Sequence, residues 1–223
     1  MNTKAELRED LDVILNILLT ITQAVNGLDN WHSLSADNIK ALHPFRFVTT
    51  LRYWMWYTLT IDLNKLLVNN DGQKYNLHKL LNKLVNNYAR SDWRNNIELD
   101  DLRTLQAKLS GVETDDMVDK LKTLRDRNYA HRDRPKIQIK KETLENEEVE
   151  IKEDINPILT LGEYKQLIEV ARDIYNSLNN KIFNLTQWWQ FSDSDTFKSI
   201  VDYITAKYNE DLESINRKKE GLI

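Results

Sequence analysis

Residues Leu124 to Arg134, LRDRNYAHRDR, gather four arginines around His131, one of four histidines in a chain whose net charge is −4. From Lys120 to Lys141 there are nine Lys or Arg and two Asp, a local balance of +7 against −11 for the remaining residues. Histidine changes charge near neutrality, so it can give or take a proton. Arginine stays charged and can bond two oxygens of one phosphate at once. Together these residue types suit chemistry on a phosphodiester or another anionic partner. They also suit a solvated helix end, because Lys, Arg and His favour helix C-termini, with the acidic stretch Glu142 to Asp154 offsetting the basic one. Charge alone leaves both readings open.

Helical geometry separates the members of the cluster. Met117, Val118, Leu121 and Leu124 define an apolar stripe. Arg125 falls to one side of it, His131 to the other, and Asn128 almost on it, while Arg127 points outward. A polar group buried without a partner costs about 1–3 kcal/mol, so Arg125 and Asn128 are the residues that need an explanation. Arg127, Arg132, Arg134 and Lys136 read as phosphate-steering or solvating charges. Tyr129 has two readings, stacking on a base or packing, and Asp126 has two, orienting Arg125 or lying as a surface acid.

The elements that must position this cluster are helical. The chain has 223 residues, 41% hydrophobic and 30% charged, with five glycines and three prolines, which is little turn chemistry for a many-stranded fold. The spacing predicts a helix over residues 4–26 with Gly27 as its stop. A second is predicted from Ile39 to Val68, whose middle, LRYWMWYTLTIDL, is apolar on nearly every face and therefore central and buried, or shared with a partner chain. Shorter amphipathic helices follow in YNLHKLLNKLVNNY and DLRTLQAKL, and Thr114 is the expected cap of the helix carrying the basic cluster. KIQIK and VEIK alternate, predicting a two-stranded β-hairpin insertion over about 136–152. LGEYKQLIEVARDIYNSLNNKIF is a long helix, and a last one is expected over about 195–217. The expected fold is thus all-α, a single domain over residues 1–223 with the hairpin inserted after the motif helix.

Some classes are disfavoured. There is no cysteine, no His-Glu-x-x-His pair, no histidine cluster and no glycine-rich phosphate loop, so neither a metal nor another cofactor is expected. Glu6, Arg8, Glu9, Asp10 and Asp12 precede the first apolar run, unlike a signal peptide. That run, Val13 to Val25, is interrupted by Asn16, Thr20, Thr22 and Gln23, and is expected to be too short to span a bilayer. The expectation is a soluble, cytoplasmic protein with no membrane partner.

Arg125 and His131, with five residues between them near the end of a late helix, resemble the Arg-x4–6-His signature of the HEPN superfamily (higher eukaryotes and prokaryotes nucleotide-binding). LRDRNYAHRD followed by Pro135 and an extended excursion is most similar to the abortive-infection AbiU-like branch, as is the long aromatic helix leading into NLHKLLNKL. The resemblance spans about residues 5–185 and leaves the final helix outside. It implies an up-and-down multi-helix bundle and a metal-independent endoribonuclease of phage defence or a toxin. Arg125 and His131 would be catalytic, with Asp126, Asn128 and Tyr129 in support. Arg127, Arg132, Arg134 and Lys136 would bind RNA phosphates. It further implies a homodimer with the motif helix at or near the interface, and an antitoxin as a further partner. A non-catalytic HEPN module that binds RNA, nucleotide or a protein remains the alternative, with a purely structural bundle as a third reading.

Overall fold

A computed structural model of the chain describes residues 2–69, 72–126, 137–144, 147–154, 159–187, 189 and 194–219. In α1 (Lys4–His32), Leu7, Leu11, Ile14, Leu18, Ile21, Val25 and Leu28 alternate steps of four and three, lie on one face and are all buried. The expectation that Gly27 ends this helix is overturned. Gly27 lies inside α1 against Met55, where an added Cβ would collide with the methionine sulfur. A close approach explains this glycine, and no turn requires it. By length and composition α1 is also long and apolar enough to cross a membrane, contrary to the reading of its apolar run as too short. The apolar face from Leu7 to Leu28 is nevertheless buried against protein, as in a core helix, while Leu15, Ile17 and Leu19 are half-buried.

α2 (Ala36–Leu42) starts at Ser35, whose hydroxyl accepts from the Asn38 N–H at 3.2 Å, and α3 (Arg46–Leu67) follows. The single helix expected from Ile39 to Val68 is therefore two. Pro44 interrupts it, since proline has no N–H to donate and its ring collides with the preceding turn. Burial in α3 is confined to its C-terminal half, at Leu59, Thr60, Leu63, Asn64, Leu66 and Leu67. From Phe45 to Trp54 nearly every side chain is exposed, so α3 is not buried along its whole length.

α4 (Leu77–Asn87) is tied to the end of α3 by Asn76. The Asn76 Oδ1 accepts from the His78 and Lys79 N–H groups, capping α4, while its Nδ2 donates to the carbonyls of Val68 at 2.8 Å and Lys65 at 3.2 Å. One buried amide thus satisfies loose backbone groups of two helices. A short 3₁₀ turn (Tyr88–Arg90) leads to α5 (Leu99–Leu109) and then to α6 (Val112–Leu124). α6 begins at Val112 with Gly111 as its N-cap, so Thr114 falls within the first turn instead of capping it.

β1 (Ile137–Leu144) and β2 (Glu147–Asp154) pair antiparallel, with Ile137 opposite Asp154 and Leu144 opposite Glu147. α7 (Leu161–Phe183) opens on a reciprocal cap: Thr160 accepts from the Glu163 N–H, and Glu163 accepts from the Thr160 N–H at 2.7 Å. It closes on Asn184, whose φ of 56° is the left-handed conformation that asparagine tolerates at a helix end. α8 (Ser194–Lys219) is the last described element.

Two compact units result, one of Met1–Ile21 with Leu59–Gln187 and one of Thr22–Thr58 with Trp188–Ile223. In the first, Arg8 donates to the buried Asn179 at 3.1 Å, linking α1 to α7, and Asn179 in turn donates to the Leu185 carbonyl at 3.0 Å. In the second, Asn38 of α2 donates to Asp202 of α8 at 3.2 Å, and the Arg52 guanidinium lies 5.8 Å from the centre of the Trp31 ring.

Candidate functional site

The site belongs to the first unit. Met117 and Leu121 are buried and hold α6 in the core, while Val118 and Leu124 are half-buried. At Arg125 and Asp126 the helix loosens into a π-helical turn, a widening that often accompanies functional positions. The Arg125 backbone N–H is shared between the carbonyls of Leu121 and Lys122.

Arg125 is held on two sides. Its Nε donates to Asp126 Oδ1 at 2.6 Å, and Nη2 lies against the same oxygen. Its Nη1 donates to Oδ1 of Asn64, on α3, at 2.6 Å. The arginine side chain is 18% exposed, against 39% for Asp126, and Asn64 is fully buried. Each terminal guanidinium nitrogen carries two N–H groups, so with respect to the described residues Nη1 and Nη2 each keep one for an incoming acceptor. A pair of that kind can meet two oxygens of one phosphate.

Around this contact α3, α6 and α7 form a polar seam. Thr60 precedes Asn64 by four residues and so shares its helix face. The Thr60 hydroxyl and the Tyr164 hydroxyl of α7 are 2.6 Å apart and buried. On α6, Lys120 pairs with Asp116 at 2.8 Å and with Glu163 at 3.2 Å, fastening the motif helix to the start of α7. Hydrogen bonds to Asp116 and then Glu163 raise the Lys120 pKa. The Thr160 N–H, the Thr160 hydroxyl and Lys120 together hold the Glu163 carboxyl below its ordinary value of 4.5, against a smaller opposing effect of burial.

The structure brings Arg125 and Asp126 into contact. Asn128, Tyr129 and His131 lie outside the described residues, as do Arg127, Arg132, Arg134 and Lys136. Asn64, 61 residues before Arg125, is absent from the candidates drawn from the sequence. Its signal was a polar pair, Thr60 and Asn64 at helical spacing, beside the buried leucines 59, 63, 66 and 67.

The HEPN_AbiU2 family model, described as AbiU2, matches residues 43–204, well over half of the chain. The chain belongs to the AbiU2 family of HEPN proteins. No curated protein and no solved structure matches it. The AbiU2 match covers Asn64, the whole of α6 and the Arg125–His131 motif, and it reaches into α8, which the sequence resemblance had left outside. All of α1 and α2 precedes it, so the family pattern begins later than the expected residue 5. Lys4–His32 thus contributes to this AbiU2 protein as core packing, apart from the matched segment.

Proposed function

We propose that this AbiU2-family protein is a metal-independent endoribonuclease acting in the cytoplasm, in phage defence or as a toxin. The observation that carries the reading is Arg125, anchored by Asp126 and Asn64 while, among the described residues, a donor remains on each terminal nitrogen. In such a reaction the RNA 2′-hydroxyl attacks the adjacent phosphorus and the 5′-oxygen leaves. The products are a 2′,3′-cyclic phosphate and a 5′-hydroxyl end. Arg125 bonds the phosphoryl oxygens as negative charge builds on them. His131 moves the proton, Asn128 and Tyr129 support the site, and Arg127, Arg132, Arg134 and Lys136 draw in the RNA backbone.

Acid and base are both required, yet the motif holds one histidine. A homodimer with two motif helices at one cleft meets that need. The exposed aromatic half of α3 supports it, because soluble monomers rarely leave so many large apolar side chains in water. An antitoxin is a further partner that would shield the same cleft.

The test is purified protein on labelled RNA in excess EDTA. Cleavage is expected to persist and to leave cyclic-phosphate ends, and it should disappear in Arg125→Ala and His131→Ala. Persistence in His131→Ala overturns the assignment. One observation favours the non-catalytic alternative: Asp126 neutralises Arg125 and so weakens its pull on phosphate. That alternative predicts RNA or nucleotide binding without products, unchanged in His131→Ala.

A further inference from the structure

Asn64 is expensive where it stands. It is fully buried among the leucines of α3, and its Nδ2 has no hydrogen-bond partner among the described residues. A leucine of similar size would leave no amide unsatisfied at this position, so packing does not account for the residue. Among the described residues its Oδ1 has one use, the 2.6 Å bond from Arg125 Nη1. We infer that Asn64 is a positioning residue for Arg125, aiming the guanidinium at an RNA phosphate without cancelling its charge. The inference rests on the ribonuclease reading above.

Two features support it. The first is rigidity. Asn76 ties down the carbonyls of Lys65 and Val68, directly after Asn64, so the acceptor sits on the fixed end of α3. Asp126, by contrast, is Arg125's own neighbour in a loosened turn, and by itself it cannot set the direction of a long side chain relative to the core. The second feature is charge. Arg125 already faces one carboxylate. A second at position 64 would make the trio net negative and repel a phosphodiester, whereas an amide offers the same acceptor geometry with no charge.

The test compares wild type with Asn64→Leu, which keeps the volume and removes the acceptor, and Asn64→Asp, which keeps the acceptor and adds charge. Asn64→Leu should fold with an unfolding midpoint at or above that of wild type and lose about 10- to 100-fold in kcat. Asn64→Asp should keep its fold but bind RNA about tenfold more weakly, with the slope of log affinity against log salt reduced by about one. A merely structural Asn64 predicts the reverse, a lowered midpoint with kcat and salt slope unmoved. Cleavage by Asn64→Leu within about twofold of wild type overturns the inference while leaving the nuclease reading intact. If wild type cleaves no RNA, the nuclease reading falls, and the resonance of the Arg125 Nη1–H donated to Asn64 decides the positioning claim. That signal should be sharp and protected from exchange in wild type and lose its protection in Asn64→Leu. An unchanged signal would overturn the claim.

Discussion

At the scale of single residues, Arg125 serves both the core and the surface. Three of its nitrogens meet Asp126 and Asn64, and the side chain is mostly buried, so removing it has two separable effects. Arg125→Ala leaves the Asn64 amide without a partner among the described residues, and about 1–3 kcal/mol of stability should disappear together with activity. Arg125→Lys keeps a cation on a long stem but lacks the planar fork needed to meet Asp126, Asn64 and a phosphate together. It should lose less stability than the alanine variant and still fall at least about tenfold in cleavage. Urea unfolding alongside RNA cleavage separates the effects, and a lysine variant with wild-type kcat would refute the fork argument. Arg125 itself was visible in the sequence as a cation beside an apolar stripe. Asn64 was not, because nothing local to α3 says which helix will lie against it.

At the scale of elements, the motif helix is fixed through the start of α7. Lys120 reaches Glu163, and Glu163 closes the cap with Thr160. Thr160→Ala should cost about 1 kcal/mol, read as a lower urea midpoint at unchanged slope. Glu163 also supplies a pH dependence. Its carboxyl titrates lower in the folded chain than its ordinary 4.5, so its stabilising contribution is complete above 4.5. That contribution is lost as pH falls below 4.5 through the lowered folded value. Glu163→Gln should lower stability at pH 7 and flatten its fall below pH 4.5, and an equally steep acid transition in the variant would exclude this linkage. Here the sequence was informative where the rule was local: α7 follows its leucine and isoleucine stripe from Leu161 to Phe183. It misled at Gly27, read as a stop although its lack of a side chain makes room for Met55. It misled again at Pro44, where one long helix was expected and two formed.

At the scale of the whole molecule, the unanswered demand is the exposed half of α3. Phe47 is 75% exposed and Trp54 52%, beside Phe45, Leu51 and Tyr53. If a second copy covers this face, Phe47→Asp and Trp54→Asp should turn a dimer into a monomer in light scattering, because a carboxylate buried in an apolar contact costs more than the contact gains. Cleavage should then fall with the dimer. A wild type that is monomeric at micromolar concentration would remove this support for a shared cleft. The helical character of the chain and its family were legible from residue types and spacing, since periodicity and charge are properties of neighbours along the chain. Tertiary structure alone decided that Asn64 meets Arg125, that Gly27 accommodates Met55 and that α3 is buried over only half its length. Each depends on which helices pack together, and packing joins residues that local periodicity treats as unrelated.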